Sequence, residues 1–440
     1  MTVDQTQLEL LLDENRIGIL DGGLATYLED GLDFDLSKGP LWSARLLDEK
    51  EDDVSNGKGC KGIHDAHLHY LQAGAGIVGT ATYQASLESF ARAQYAESSA
   101  KPLMTRAVEI ASQALDEYAS SQESRGTSSS TSISSAKPLI SLSLGPYGGM
   151  LSNGAEYTGD YRKTYLPESD LERQRQPTLE EMTAFHQRRI EAFLSHPSWS
   201  SVGILALETV PRADEALAFR LALENISNEY EQKGKQLDKK PVYIAFAFQN
   251  DKRLPWPPIE SESTNSKDED EEMEELDEDG DAADEEMNWL IDIVAGTRVQ
   301  GVESKWPLAG VGINCTKPYL LAKLVERMST SLATLNQSTE TGGAALQDAR
   351  QTAGMERPLL FLYPDGGLLY DAVKKVWITP SCASQPAASD NSAMSWASNL
   401  MKLARDTASR YPVWRGVFVG GCCKSGTDEI RALCQCRAAP

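Results

Sequence analysis

VGILALETVPRADEALAFRLALENISNEYEQ, residues 202–232, holds the architecture of the chain in miniature. Residues 202–207 are an unbroken apolar run with no polar alternation. A strand of that kind is buried on both faces, as in a parallel sheet covered by helices. Residues 214–232 then place apolar side chains at helical spacing, as at Ala216, Phe219, Leu223 and Ile226. The same apolar run recurs at 17–20, 77–82, 139–144, 242–248, 308–313, 359–362 and 417–419, which makes eight in all. Helical patterns lie between many of them, at 63–73, 102–118, 179–194, 286–296, 318–335 and 396–409. Eight such units predict an α/β fold, a (β/α)8 TIM barrel, in preference to an open sheet.

The chain has 440 residues, and four stretches interrupt the pattern, near 120–135, 258–286, 329–352 and 381–392. Three are rich in small polar residues, and the other is acidic, with 14 Asp and Glu and no Lys or Arg between Asp268 and Glu286. None has enough apolar surface to offset chain entropy, so all four are expected to be disordered insertions in one domain spanning 1–440. The acidic block carries much of the net charge of −23 and leaves −9 for the rest. No basic cluster offers itself to a nucleic-acid backbone. No apolar run reaches the length of a membrane span. The polar, acidic start, MTVDQTQLELLLDENR, argues against a leader. Seven scattered cysteines, an odd number, point to a reducing compartment, and a cytoplasmic location is the expectation. Oligomeric state is not legible.

In a barrel, chemistry gathers where the strands end at the C-terminal face. The residues just past the apolar runs are Asp21-Gly22-Gly23, Thr80-Ala81-Thr82, Gly145-Pro146-Tyr147-Gly148, Glu208-Thr209, Asn314-Cys315, Tyr363-Pro364-Asp365-Gly366 and Gly420-Gly421-Cys422-Cys423. Cys315, Cys422 and Cys423 follow the sixth and eighth runs, whose ends can converge across the mouth. Three thiolates suit Zn2+ with a fourth position open. Gly420 and Gly421 would give the backbone the freedom to aim adjacent cysteines at one ion. Buried core cysteines or a vicinal disulfide are equally consistent with the spacing. Cys60, Cys382, Cys434 and Cys436 are placed in loops or near the terminus, without function. His64, His67 and His69 precede the second run and belong to the outer helix, as surface or packing residues. No serine nucleophile elbow, phosphate loop or dinucleotide fingerprint is present.

The segments ILDGGLATYLE (19–29), PLWSARLL (40–47), HLHYLQAGAGIVGTATYQAS (67–86), SLGPYG (143–148), YTGDY (157–161), FHQRRIEAF (185–193), LALETVPRADEA (205–216), GVGINCTKP (310–318), LYPDGG (362–367) and VGGCC (419–423) resemble, in order, the zinc-dependent homocysteine S-methyltransferases. The resemblance covers nearly the whole chain and implies that Cys315, Cys422 and Cys423 are the zinc ligands. It also implies that Asp21 and Glu208 hold the ammonium of homocysteine, and that the backbone of Gly22 and the segment at Thr80 face its carboxylate. Without the resemblance, Asp21 reads as a helix cap and Glu208 as half of an ion pair with a barrel arginine. PLWSA and YTGDY are closer to the branch using S-methylmethionine or S-adenosylmethionine than to the betaine-using branch. Gln84, standing where betaine-using relatives carry tyrosine, agrees. The acidic block follows the fifth run on the active-site side, so the loop over the donor pocket departs from the family's pattern.

The implied enzyme moves a methyl group from a sulfonium donor to a zinc-bound homocysteine thiolate and yields methionine. Its partners are these small-molecule substrates, with no nucleic acid and no membrane. Two rival readings remain. One is methylation of another thiol or selenol, such as selenocysteine. The other is a zinc-binding barrel that serves as a scaffold and docks through its acidic insert.

Overall fold

The computed structural model describes residues 3–37, 39–49, 58–124, 136–163, 174–257, 278–296, 298–306, 308–338, 357–367, 369–371, 376–378 and 392–439. All eight apolar runs are strands: β1 (Ile17–Ile19), β2 (Ile77–Gly79), β3 (Leu139–Leu144), β4 (Val202–Val210), β5 (Val242–Phe246), β6 (Gly310–Asn314), β7 (Leu359–Tyr363) and β8 (Val417–Val419). They form one parallel sheet in the order β1-β8-β7-β6-β5-β4-β3-β2. A parallel bridge between Leu20 and Ile77, with Asp21 N donating to Ile77 O at 3.0 Å, brings β1 against β2 and closes the barrel. The expected (β/α)8 TIM barrel is the observed fold.

Alternation along each strand sends side chains into two cores. On β4, Leu205 and Leu207 face outward, where Phe219, Leu223 and Ile226 of the next helix cover them. Ile204 and Ala206 face the barrel interior. Tyr243, Phe361 and Phe418 fill that interior as a stack, with ring centroids 3.9 Å and 5.2 Å apart and planes within 9°. The stack needs a bare backbone opposite it, because a Cβ on Gly18 would lie 2.2 Å from the Phe418 ring. Burial of each such side chain contributes about 1.5–3 kcal/mol.

The helices start and end where local chemistry allows. Leu179–Leu194 opens with a capping box, in which Thr178 Oγ1 accepts from Glu181 N at 3.2 Å and Glu181 Oε2 accepts from Thr178 N at 2.8 Å. Three expected insertions need correction at their edges. The helix Glu97–Ser124 runs into 120–135, and Leu321–Ser338 runs into 329–352. The acidic block was expected to be disordered through Glu286, yet Glu278–Ala295 is helical. Met287, Leu290, Ile291 and Val294 pin that helix to the core. The rest of the acidic block, 258–277, lies outside the described residues, as do 125–135, 339–352 and 381–391. The sequence pattern missed the terminal helix Thr427–Ala438 and two small antiparallel strand pairs, Arg298–Val299 with Val302–Glu303 and Leu369–Asp371 with Val376–Ile378. Among the described residues no helix is long and apolar enough to cross a membrane.

Candidate functional site

The C-terminal ends of the strands surround a cavity of ≈ 280 Å³. Asp21, Gly22, Thr80, Glu208, Cys315, Cys422 and Cys423 all line it, so every residue singled out from the sequence reaches one place. The sulfurs of Cys315, Cys422 and Cys423 lie within 4.8 Å of one another. Cys315 and Cys422 are joined as a disulfide, so the bond runs between strand ends and not between the adjacent cysteines. Cys423 is a free, buried thiol, pushed up to about 12 by burial.

Each cysteine is aimed by its surroundings. Cys315 has φ 47° and Thr209 has φ 61°, a left-handed conformation that costs a β-branched residue energy. Asn314 holds this pair of turns together. Its Oδ1 accepts from Thr209 N at 2.8 Å and its Nδ2 donates to Thr209 Oγ1 at 2.8 Å. Thr209 Oγ1 in turn sits 3.7 Å from Cys315 Sγ. Cys422 N donates to Pro364 O at 2.8 Å, and Gly366 N to Cys423 O at 2.8 Å, tying the turn after β8 to the end of β7. The expectation that Gly420 and Gly421 supply backbone freedom is corrected, since neither has positive φ. The two glycines are needed for close approach instead: a Cβ on Gly420 would lie 2.7 Å from Asp21 O, and one on Gly421 2.2 Å from Ser425 Cβ.

Two carboxylates, Asp21 and Glu208, line the same cavity. Asp21 Oδ2 accepts from Gly79 N at 2.7 Å. Asp21 is not a helix cap; Gly23 holds the N-cap position of Leu24–Asp30. Glu208 Oε2 accepts from Ser143 Oγ at 2.6 Å, and its Oε1 from Tyr363 and Tyr243 hydroxyls at 3.3 Å and 3.5 Å. Its hydrogen-bond partners are hydroxyls, so the alternative of an ion pair with a barrel arginine does not hold. Burial pushes the Glu208 carboxyl up to about 7 against the pull of these hydroxyls. Asp21 is raised well above the usual range, by burial first and then by the neighbouring Glu208, although the Gly79 amide lowers it. Two desolvated carboxyls sharing a pocket are a receptor for a cation. Thr80 Oγ1 pairs with Thr82 Oγ1 at 2.6 Å and accepts from Ser143 N at 3.2 Å, which fixes the turn after β2.

Arg189 supports the floor of the loops. Its buried guanidinium donates to Thr82 O, Tyr83 O and Gly145 O at 2.6, 2.7 and 2.7 Å. His64, His67 and His69 do not line the cavity, as expected. His67 is buried and held neutral, its pKa lowered to about 3, and His69 Nδ1 meets Tyr27 OH at 2.9 Å. Cys60 sits on the helix Lys58–Ala73, a correction to its placement in a loop, because that helix extends further than the apolar pattern; Cys434 and Cys436 lie near the terminus as expected, on Thr427–Ala438. Cys382 lies outside the described residues.

Sequence reasoning missed Ser143, Glu156, Tyr157 and Tyr243 as parts of the site, and quoted Tyr83, Thr209, Asn314 and Tyr363 without a role. Most stand inside the quoted motifs. Their inward orientation depends on barrel curvature and on the short helix Ala155–Thr158, which brings Glu156 and Tyr157 to the cavity.

The comparisons with known proteins agree with this geometry. Homocysteine S-methyltransferase 2 of Arabidopsis thaliana is 27% identical over 424 residues, covering 94% of this chain and 91% of the relative. The selenocysteine Se-methyltransferase of Brassica oleracea var. italica is 27% identical over 434 residues, covering 97% and 90%. Among solved structures, the homocysteine methyltransferase MmuM from Escherichia coli matches in its oxidized form with TM-score 0.59, 22% identity and coverage of 98% and 99%. Its metallated form matches with TM-score 0.57 at 22% identity, over 97% and 98%. At that identity the two structures speak for the barrel fold. The sequence profile described as homocysteine S-methyltransferase matches residues 18–437, and the chain therefore belongs to the homocysteine S-methyltransferase family of enzymes.

Proposed function

We propose that this enzyme transfers a methyl group from a sulfonium donor, S-methylmethionine or S-adenosylmethionine, to the thiol of L-homocysteine, with one Zn2+ held by Cys315, Cys422 and Cys423. The observation that carries the reading is one cavity lined both by three clustered sulfurs and by the Asp21–Glu208 pair. The donor set fits zinc, which takes tetrahedral thiolate ligands and leaves a catalytic position open. The metal-competent form is the dithiol, so the Cys315–Cys422 disulfide must be reduced first. Zinc, when bound, supplies the Lewis acidity that keeps the acceptor sulfur a thiolate at neutral pH.

The chain's own residues do the rest. Asp21 and Glu208 accept hydrogen bonds from the substrate ammonium, and that cation draws both carboxyls into their ionised forms. The backbone at Gly22 and the segment at Thr80 face the carboxylate. Thr209 and Asn314 hold the cysteine turn in place, and the cavity aligns the two substrates in line. The methyl donor is already activated by its positive charge, so no general acid is required. A selenol acceptor is the second reading, favoured by the similarity to a selenocysteine Se-methyltransferase. The whole chain acts as one barrel domain in this reading.

The test is methionine formation by reduced, zinc-loaded protein with homocysteine and a panel of S-methylmethionine, S-adenosylmethionine and betaine, with and without chelator. Turnover with a sulfonium donor, lost with chelator, and one zinc per chain are expected. Cys315→Ala should retain neither metal nor activity. Stoichiometric zinc in that variant, or turnover untouched by chelation, would overturn the reading.

A further inference from the structure

Four carboxylates among the described residues line the cavity: Asp21, Glu29, Glu156 and Glu208. Glu156 has no part in the reaction as set out above. It is 8% exposed, and its Oε2 is buried without a hydrogen-bond partner. Burial pushes its carboxyl up to about 7, and only its own backbone N–H opposes that. A buried acceptor left without a donor is costly and calls for an explanation. Glu156 shares its surroundings with Tyr83, Tyr157 and Cys423, each of which feels its charge. Both tyrosines line the same cavity, as does Cys423. The carboxylate thus shares the cavity with the sulfur cluster, within electrostatic reach of Cys423.

A cation is the ligand such a place would take. An ammonium or guanidinium would be recognised through N–H donors. A sulfonium has none to give and is held by negative charge and aromatic faces alone. An anionic oxygen without a donor, in a cavity that two tyrosines and the three sulfurs also line, matches that requirement. We propose that Glu156 is the charge-recognition residue for the sulfonium centre of the methyl donor. The assignment rests on the methyl-transfer reading above. In the transfer, the acceptor thiolate's electron pair forms the new C–S bond, and the old C–S pair returns to the donor sulfur. The donor loses its positive charge, and Glu156 is left facing a neutral thioether. The residue therefore favours the donor over its demethylated product and promotes release.

The test uses two unreactive mimics of S-methylmethionine. They are 2-amino-4-(trimethylammonio)butanoate, which is cationic at the reacting position, and 2-amino-5,5-dimethylhexanoate, its neutral carbon isostere. Dissociation constants are measured by calorimetry on reduced, zinc-loaded wild type, Glu156→Gln and Glu156→Asp. Wild type should prefer the cationic mimic by about tenfold or more. Glu156→Gln should lose most of that preference, with homocysteine affinity and zinc content unchanged. Glu156→Asp keeps the charge and should retain the preference, which separates charge recognition from a folding defect. Equal affinity of wild type for the two mimics overturns the assignment, and so does an undiminished preference in Glu156→Gln. Methionine formation by wild type, assayed in parallel, separates these results from failure of the methyl-transfer reading, which would appear as no turnover with any sulfonium donor.

Discussion

Glu208→Gln removes one charge and almost no volume from the amino-acid subsite. The side chain keeps an oxygen for Ser143 Oγ, which donates to it at 2.6 Å, and the tyrosine hydroxyls at 3.3 and 3.5 Å can reorient. The loss should therefore fall on the ligand. A hydrogen bond to a charged group contributes about 1.5–3 kcal/mol, and a factor of ten corresponds to about 1.4 kcal/mol. Homocysteine affinity should drop about 10- to 150-fold, with zinc content unchanged. The pH dependence gives a second readout. Burial pushes Glu208 up to about 7 and holds Asp21 well above its usual range. Below pH 7 the pair carries protons, and an ammonium ligand must displace them. Wild-type affinity should therefore weaken as pH falls through 7. In Glu208→Gln the repulsion that helps raise Asp21 is gone, so the pH dependence should move to lower pH. Stability should shift the other way. A carboxyl raised by folding destabilises the ligand-free fold above its unfolded pKa of about 4.3, fully so above pH 7. Glu208→Gln should thus melt higher than wild type at pH 8 and about equally at pH 4. Calorimetric titration with homocysteine from pH 6 to 8, with thermal melts alongside, reads all three quantities. Unchanged affinity with an unchanged pH profile would refute the assignment of Glu208 to the ammonium.

Other substitutions probe the supports of the site. Asn314→Ala frees Thr209 and the Cys315 turn and should lower zinc affinity about 10- to 100-fold, measured by competition with a chromogenic chelator; unaltered affinity would show that Asn314 does not position the ligand. Arg189→Met strips three backbone carbonyls of their donor, each left unsatisfied at a cost of about 1–3 kcal/mol, and should destabilise the fold accordingly, read as a shift in denaturant midpoint; a shift under about 1 kcal/mol would mean that water replaces the guanidinium. Replacing 259–277 with a short Gly-Ser linker, up to but not into the helix Glu278–Ala295, should keep the fold and most turnover. Any change in donor KM should be small and salt-sensitive, since charges on such a loop are screened over about 8 Å at physiological salt; loss of turnover by orders of magnitude with zinc retained would make the insert part of the donor pocket.

The barrel was legible because its cause is local and repeated. A strand buried on both faces must be apolar throughout, and a covering helix must be apolar on one stripe, so eight repeats of the pair announce the fold. The strand-end rule made Asp21, Thr80, Glu208, Cys315, Cys422 and Cys423 candidates, and the family resemblance assigned them chemistry. Local reading failed where the deciding contacts are distant in sequence. The acidic helix begins at Glu278 because Met287, Leu290, Ile291 and Val294 find a core to bury against. Nothing in VGGCC tells that Cys422 would bond to Cys315, 107 residues away, and not to its neighbour. Glu208 reads as half of an ion pair until Ser143, Tyr243 and Tyr363 arrive from three other strands. Glu156 is one acidic residue among many until the segment after β3 carries it within electrostatic reach of Cys423. Periodicity and residue type, which act over a few residues, determined the architecture and the parts list of the site. Desolvation, charge pairing and orphaned polar atoms exist only once distant segments exclude water together, so only the tertiary structure decided what those parts can do.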